Sequence, residues 1–149
     1  MHISIINGPN LNLLGKREPE WYGTRSFDSF LPELMADFPD HRIDFFQSND
    51  EGALIDRLQA DGFSCDGILI NAGGYTHTSV ALGDTIAAIA CPVVEVHISH
   101  PLRRESFRHV SYLSAHCIGL VSGFGLASYH LALNGLISHL SALGDAKKH

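Results

Sequence analysis

The sequence predicts an α/β fold in which a five-stranded parallel sheet is covered by helices on both faces. Short runs rich in isoleucine and valine alternate with longer segments of helical periodicity, which is the pattern of repeated βα units. The centres of the predicted strands are apolar, as a sheet buried on both faces requires. With 149 residues, the chain is expected to form one domain, 1–149.

Five βα units can be placed in order along the chain. The predicted strands span residues 2–6, 42–47, 67–71, 93–98 and 117–121. The predicted helical segments span residues 27–38, 51–60, 79–90, a short piece at 105–113, and 126–143. Right-handed units in this number predict a flavodoxin-like three-layer sandwich with strand order 2-1-3-4-5, whose ligands bind beyond the carboxyl ends of the strands.

Local signals set the ends of these helices. Pro32 lies inside the first helical pattern and removes one backbone donor, so a kink or a later start is expected there. Asn49 or Asp50 can cap the second helix, and Thr78 or Ser79 can cap the third, because these residue types are preferred at N-caps.

Charge and composition exclude several classes of partner. The formal net charge is −6, the isoelectric point is about 5.9 and the arginines are scattered, so nucleic acid is not an expected partner. The apolar run at the N-terminus is too short for a signal peptide or a membrane span. These features predict a cytoplasmic protein that binds no membrane.

Neither the cysteines nor the histidines form a recognisable metal motif. Cys65, Cys91 and Cys117 are odd in number and widely spaced, so they are expected to be buried, reduced thiols. The ten histidines include no His-Glu-x-x-His and no compact cluster with ligand spacing. The sequence therefore predicts no metal and no cofactor.

The connection after the first strand is unusually long. It runs from residue 7 to about residue 23, whereas a βα loop normally has roughly two to six residues, and longer loops are often lids or binding loops. Its Asn, Gly and Pro residues can also be read as turn formers on a surface excursion. For Arg17 and Tyr22 a functional role is favoured.

The third strand ends in Asn71, and Gly73, Gly74 and His77 follow it. Glycines let a backbone approach a ligand closely, and the helix N-terminus beyond them favours an anionic substrate. Simple capping remains the favoured alternative for the Thr-Ser pair at 78–79.

The fourth strand carries Glu95, His97 and Ser99 on one face, because side chains two residues apart point the same way. A carboxylate beside an imidazole favours the protonated ring and fixes its tautomer, as a general acid requires. The alternative is a structural pair in the core, in which each polar group satisfies the other. The position at the strand end favours the acid.

Two further segments lie near the same edge. Residues 100–108 are basic, and Arg103 and Arg104 are expected to be solvated surface charges. Residues 123–128 faintly resemble a dinucleotide fingerprint, but they follow the last strand and lack the third glycine. They are assigned to tight strand–helix packing.

Taken together, these blocks resemble the type II 3-dehydroquinases over nearly the whole chain. The matching blocks are Asn-Gly-Pro-Asn-Leu-Asn-Leu-Leu-Gly at 7–15, Arg-Glu-Pro at 17–19 with Tyr-Gly at 22–23, Gln-Ser-Asn at 47–49, Thr-His-Thr-Ser at 76–79 and Glu-Val-His-Ile-Ser at 95–99. The chain departs from the family pattern at four positions, none of which is a proposed catalytic group: Gly83, His100, Leu102 and Ala115.

The resemblance implies a lyase that converts 3-dehydroquinate to 3-dehydroshikimate through an enolate, without metal or imine. Tyr22 would accept the proton beside the ketone, His97 would protonate the departing hydroxyl and Arg17 would stabilise the transition state. Asn10 would hold a water on the enolate, and Glu95 would orient His97. The substrate-binding residues would be Asn71, His77, Ile98, Ser99, Arg108 and, from a neighbouring subunit, Asp84.

The family's quaternary structure and pathway are also carried over as expectations. Family members form trimers that assemble into dodecamers. The dehydration serves either aromatic amino-acid biosynthesis through the shikimate pathway or quinate breakdown, and the sequence leaves both open. Of the lysines, Lys147 and Lys148 lie at the tail, and Lys16 beside Arg17 is a poor imine former, which supports the route without an imine.

Two rivals from other classes share this fold. A flavin carrier would need Ser, Thr and Gly after the first strand, and a receiver domain would need paired acids there, whereas this chain has Asn-Gly-Pro-Asn. An inactive scaffold would use the same fold only for its subunit contacts. The presence of Arg17, Tyr22 and His97 argues against the scaffold.

Overall fold

One parallel sheet forms the centre of the molecule. The structure, a computed structural model, describes residues 1–16 and 19–146, and for Pro19 and Tyr22 it describes the backbone. Within these residues the strands are β1 (His2–Asn7), β2 (Arg42–Gln47), β3 (Gly67–Asn71), β4 (Val93–His97) and β5 (Gly119–Ser122). All neighbours pair in parallel in the order β2-β1-β3-β4-β5, which confirms the predicted topology.

Helices cover both faces of this sheet. They are α1 (Pro19–Tyr22), α2 (Phe27–Ala36), α3 (Glu51–Gly62), α4 (Val80–Ala88) and α5 (Ala127–Ala146). Two clusters of buried apolar side chains fill the space between the sheet and the helices on each face. Side chains of α2 and α5 pack on one face of the sheet, and side chains of α3 and α4 pack on the other. This arrangement confirms the predicted three-layer sandwich.

The helix starts agree with the predicted capping chemistry. The Asp50 carboxylate accepts the Ala53 N–H at 2.7 Å, and the Ser79 hydroxyl accepts the Leu82 N–H at 3.0 Å. Each bond satisfies a donor that the first helical turn leaves free. Helix α2 begins at Phe27 and continues through Pro32, so the alternative of a later start is wrong.

The largest departures from the predicted elements lie between β4 and β5. Residues 105–113 form one 3-10 turn, Ser106–His109, in place of a longer helix. The Val110 carbonyl accepts the His77 ring N–H, and the Tyr112 N–H donates to Thr76, so these contacts hold the chain extended. Strand β5 begins two residues later than predicted, because Cys117 ends another 3-10 turn, Ser114–His116.

Helix α4 accommodates Gly83 without interruption. A Cβ atom at this position would lie 2.4 Å from the Tyr112 carbonyl oxygen, so the close approach of the two backbones requires glycine. The three cysteines are free: Cys65 is buried, and Cys91 and Cys117 are half-buried, less than predicted. Burial raises the pKa of Cys91 to about 11 and that of Cys117 to about 12. In the described part of the chain, no helix has the length and apolar character of a membrane span.

Candidate active site

A cavity of about 170 Å³ lies at the carboxyl ends of the central strands. Its walls come from the loop after β1, the end of β3 and its following loop, and the end of β4 with the segment beyond it. The polar side chains that line it are Asn10, Asn71, His77, His97, Ser99, Arg104 and Arg108. The structure thus brings together most of the residues that the sequence singled out, including Ile98.

His97 and Glu95 form a buried pair at the end of β4. The His97 Nε2 and the Glu95 Oε1 are 2.6 Å apart, Glu95 is fully buried and His97 is 7% exposed. With Nε2 committed to the carboxylate, Nδ1 is the ring nitrogen that remains available for chemistry in the cavity. The carboxylate therefore restrains the orientation of the His97 ring.

The second carboxylate oxygen of Glu95 has two hydroxyl donors. Ser111 Oγ donates to Glu95 Oε2 at 2.9 Å, and Ser114 Oγ donates to the same atom. Burial alone would raise the pKa of this carboxyl, but the hydrogen bonds from His97, Ser114 and Ser111 outweigh burial and lower the pKa. Glu95 is therefore an ionised carboxylate in the interior.

His77 lies beside His97 in the cavity wall. The two ring centroids are 6.3 Å apart with an interplanar angle of 15°, and the His77 Nδ1 donates to the Val110 carbonyl at 2.7 Å. Burial lowers the pKa of His77, so its ring is neutral and Nε2 can accept a hydrogen bond. His77 can thus contact a substrate hydroxyl without adding a positive charge beside His97.

Asn71 is held from below by a buried tyrosine of α5. Asn71 Nδ2 donates to the Tyr129 hydroxyl at 2.9 Å, and that hydroxyl donates to Asn7 Oδ1 at 2.7 Å. The Gly73 N–H donates to Asn71 Oδ1 at 3.2 Å, which fixes the orientation of the amide. Sequence reasoning missed Tyr129, because its position in a helical pattern predicts only core packing.

The glycines around Asn71 serve loop packing. A Cβ atom on Gly8 would lie 2.4 Å from the Ala72 carbonyl oxygen, and one on Gly73 would lie 3.0 Å from the Pro9 carbonyl oxygen. Gly73 also has a φ of +59°, which favours glycine. Close contact between the two loops explains these glycines, whereas Gly74 lines the cavity with open space at its Cα.

Arg104 corrects the prediction of a solvated surface charge. Its side chain is 3% exposed, and its Nη1 donates to the Ser99 hydroxyl at 3.3 Å. The indole of Trp21, in α1, lies 4.9 Å from the guanidinium carbon and covers it. The sequence does not predict that Arg104 is buried in the cavity wall, because nothing in it indicates that Trp21 reaches Arg104.

Arg108 lies in the cavity wall beside Arg104. Glu105 Oε2 accepts from the Arg108 Nε at 2.9 Å, which holds this guanidinium in place. Arg103 is exposed, as predicted. The cavity therefore contains two fixed cations, which favour an anionic ligand.

For three of the predicted site residues, the structure does not show a side chain in the cavity wall. Arg17 lies outside the described residues. Tyr22 is the last residue of α1, directly after the Trp21 that covers Arg104. Asp84 lies exposed on α4 and does not line this cavity.

The donor set suits acid–base chemistry on a small anion. Within the described ranges, no group of three His, Cys, Asp or Glu side chains is arranged to hold a metal ion. The cavity instead combines a carboxylate–imidazole pair, a neutral imidazole, two amides and two guanidinium groups. Such a site can bind a small polar anion and protonate a leaving group.

Comparisons with known proteins agree with this arrangement. The family model described as Dehydroquinase class II matches residues 1–137. A 3-dehydroquinate dehydratase of an Exiguobacterium species is 56% identical over 140 residues, covering 93% of this chain and 96% of that protein. One from Dinoroseobacter shibae is 49% identical over 149 residues, covering 99% of each chain.

A solved structure supports the same assignment. The crystal structure of a type II dehydroquinase from Butyrivibrio crossotus superposes with a TM-score of 0.87 at 41% identity, covering 91% of this chain and 97% of that one. A likeness of fold, high identity and a family match over most of the sequence thus agree with one another. This chain therefore belongs to the class II dehydroquinase family.

Proposed function

We propose that this chain removes water from 3-dehydroquinate to give 3-dehydroshikimate, by general acid–base catalysis through an enolate. The observation that carries the proposal is the buried His97–Glu95 pair, which ends β4 at the wall of a cavity that holds fixed cations. An imidazolium held by an ionised carboxylate can protonate the hydroxyl that leaves the ring. The relatives named 3-dehydroquinate dehydratase supply the identity of the substrate.

Tyr22 is the proposed base. A phenol has an unperturbed pKa of about 10, so a nearby guanidinium is needed to favour tyrosinate at neutral pH. Arg17 belongs to the same loop and is the proposed source of that charge, which would also stabilise the enolate. The contact between Trp21 and Arg104 supports this proposal, because it brings the backbone of α1 to the residues that line the cavity.

The remaining wall residues are proposed to bind the substrate. Asn71, His77, Ser99 and Arg108, with the backbone at Ile98, present donors and acceptors to a carboxylate and several ring hydroxyls. Asn10 has a left-handed backbone with a φ of 68°, and its N–H donates to Asn49 Oδ1 at 3.0 Å. Its side chain is proposed to hold the water that contacts the enolate.

The proposal extends to assembly and location. Asp84 is exposed on α4 and is proposed to reach the cavity of a neighbouring subunit in a trimer, four of which form a dodecamer. The reaction is proposed to need neither a metal nor an imine, and to take place in the cytoplasm. Biosynthesis of aromatic amino acids and quinate breakdown both remain open as its pathway.

Absorbance of the conjugated enone product tests this function. Wild-type protein is expected to turn over 3-dehydroquinate at the same rate with a chelator or with borohydride present. Tyr22→Phe and His97→Ala are each expected to lower kcat by at least ~100-fold, the usual scale for loss of a proton-transfer group.

Each reagent isolates one alternative. Loss of activity with chelator would require a metal, and inactivation by borohydride in the presence of substrate would require an imine. Full activity in Tyr22→Phe would remove the proposed base. A matched control is Tyr112→Phe, which removes a partly exposed phenol outside the cavity and is expected to retain wild-type turnover.

A further inference from the structure

Ser111 and Ser114 surround the buried end of the acid pair. Both hydroxyls donate to Glu95 Oε2, the oxygen that does not contact His97. The Leu113 and Ser114 N–H groups donate to Ser111 Oγ at 3.1 and 3.0 Å, so the turn that follows Ser111 fixes its hydroxyl. Two hydroxyls from one short segment therefore converge on a single carboxylate oxygen.

A fully buried carboxylate needs such donors to remain charged. Moving an unpaired carboxylate into a protein interior is strongly unfavourable, and the usual result is that the group takes up a proton. His97 supplies one donor, but a proton shared within the pair can lie on either partner. Hydroxyls on the far oxygen stabilise the charged carboxylate and so keep that proton on the imidazole.

We propose that Ser111 and Ser114 are positioning residues for the dehydration, which act through Glu95 to keep the acidic proton on His97. If the proton moved to Glu95, His97 would be a neutral imidazole, whose remaining N–H is a far weaker acid. The inference rests on the proposed function, because it assigns the serines to the reaction of the same cavity. Neither serine lines that cavity.

Other groups around Glu95 do not replace these donors. His77 is a titratable ring that interacts electrostatically with Glu95, and burial keeps it neutral. Cys117 lies within electrostatic reach of Glu95, but its pKa is raised to about 12, so it is an uncharged thiol. Among the described neighbours that affect its pKa, Glu95 therefore depends on His97 and the two serines for hydrogen bonds.

Kinetics of single and paired variants test the inference. Ser114→Ala and Ser111→Ala are expected to lower kcat roughly tenfold each, with KM within about twofold, on the scale of one hydrogen bond to a charged group. Ser114→Thr retains the hydroxyl and is expected to restore most of kcat. Ser106→Ala, an exposed serine in the same segment, is the matched control and is expected to equal the wild type.

A double-mutant cycle separates positioning from a purely structural role. In Glu95→Gln the carboxylate is absent, so adding Ser114→Ala is expected to change kcat by less than about twofold. An equal loss in both backgrounds would overturn the inference, as would wild-type kcat in both serine variants.

Unfolding experiments judge the inference even without turnover. The folded pKa of Glu95 is lowered, so its ionisation stabilises the fold above the unfolded value of about 4.3, and this stability is lost as the pH falls through the folded value. We expect Ser114→Ala to raise the pKa of Glu95 and so to lower the free energy of unfolding relative to the wild type. This loss should be full at pH 7 and should shrink below about pH 4, where Glu95 takes up a proton. A deficit independent of pH would overturn the inference, whereas inactive wild-type protein would overturn only the proposed function.

Discussion

Tyr129 shows how one buried side chain can determine the floor of the cavity. Its ring packs edge-on against Phe27 in the core, while its hydroxyl joins Asn7 at the end of β1 to Asn71 at the end of β3. Burial raises the pKa of this phenol, so it stays protonated and can act as one donor and one acceptor. The hydroxyl thus orients an amide that lines the cavity.

Removing this hydroxyl should weaken both the fold and binding. Tyr129→Phe keeps the ring and leaves Asn7 and Asn71 without their shared partner, so we expect a loss of about 1–3 kcal/mol in the free energy of unfolding. KM should rise more than kcat falls, because Asn71 is proposed to bind the substrate. Leu58→Ala, a change in the core on the other face of the sheet, is a control that should affect stability alone. An unchanged KM in Tyr129→Phe would contradict this role of Tyr129.

At the scale of elements, the edge strand β5 differs from the rest of the sheet. Leu120 is 54% exposed on it, and the nearby Leu102 and Phe124 are 63% and 64% exposed. Strand edges and contiguous apolar surface are usually covered in native proteins. If the chain assembles as proposed, this face is where we expect it to contact another copy.

A charge on this face should disrupt assembly. Leu120→Glu is expected to lower the mass measured by sedimentation velocity from that of a multiple of three chains toward that of one, while the circular dichroism stays that of a folded protein. Phe63→Glu, at a position that is 69% exposed directly after α3, should leave the mass unchanged. A monomeric wild type, or an unaffected mass in Leu120→Glu, would contradict this prediction.

The elements predicted from sequence were those with a strong periodic signal. The order of the strands and the capping of α3 and α4 by Asp50 and Ser79 follow from local patterns, and the structure confirms them. The helix predicted between β4 and β5 is wrong, because hydrogen bonds to Thr76 and His77, which are distant in sequence, override the local helical preference of this segment. Arg104 was misplaced for the same reason, since Trp21 is distant from it in sequence.

In the molecule as a whole, the proposed mechanism divides proton removal and proton donation between two elements. Strand β4 ends in His97 at the wall of the cavity, and the loop after β1 ends in α1 with Tyr22, which is proposed to reach the same cavity. Site residues that are far apart in the sequence could be placed in one site only because the carboxyl ends of all the parallel strands lie at the same edge of the sheet. Their side-chain contacts, such as those of Ser111 and Ser114, depend on packing that a local pattern does not contain.

Exchange of the substrate's proton with solvent deuterium tests this division most directly. In heavy water, His97→Ala should still exchange the proton beside the ketone, because Tyr22 is the group proposed to remove it, while loss of water falls by at least ~100-fold. Tyr22→Phe should do neither. Dehydration by His97→Ala at the wild-type rate, or proton exchange by Tyr22→Phe as fast as in the wild type, would contradict these two roles.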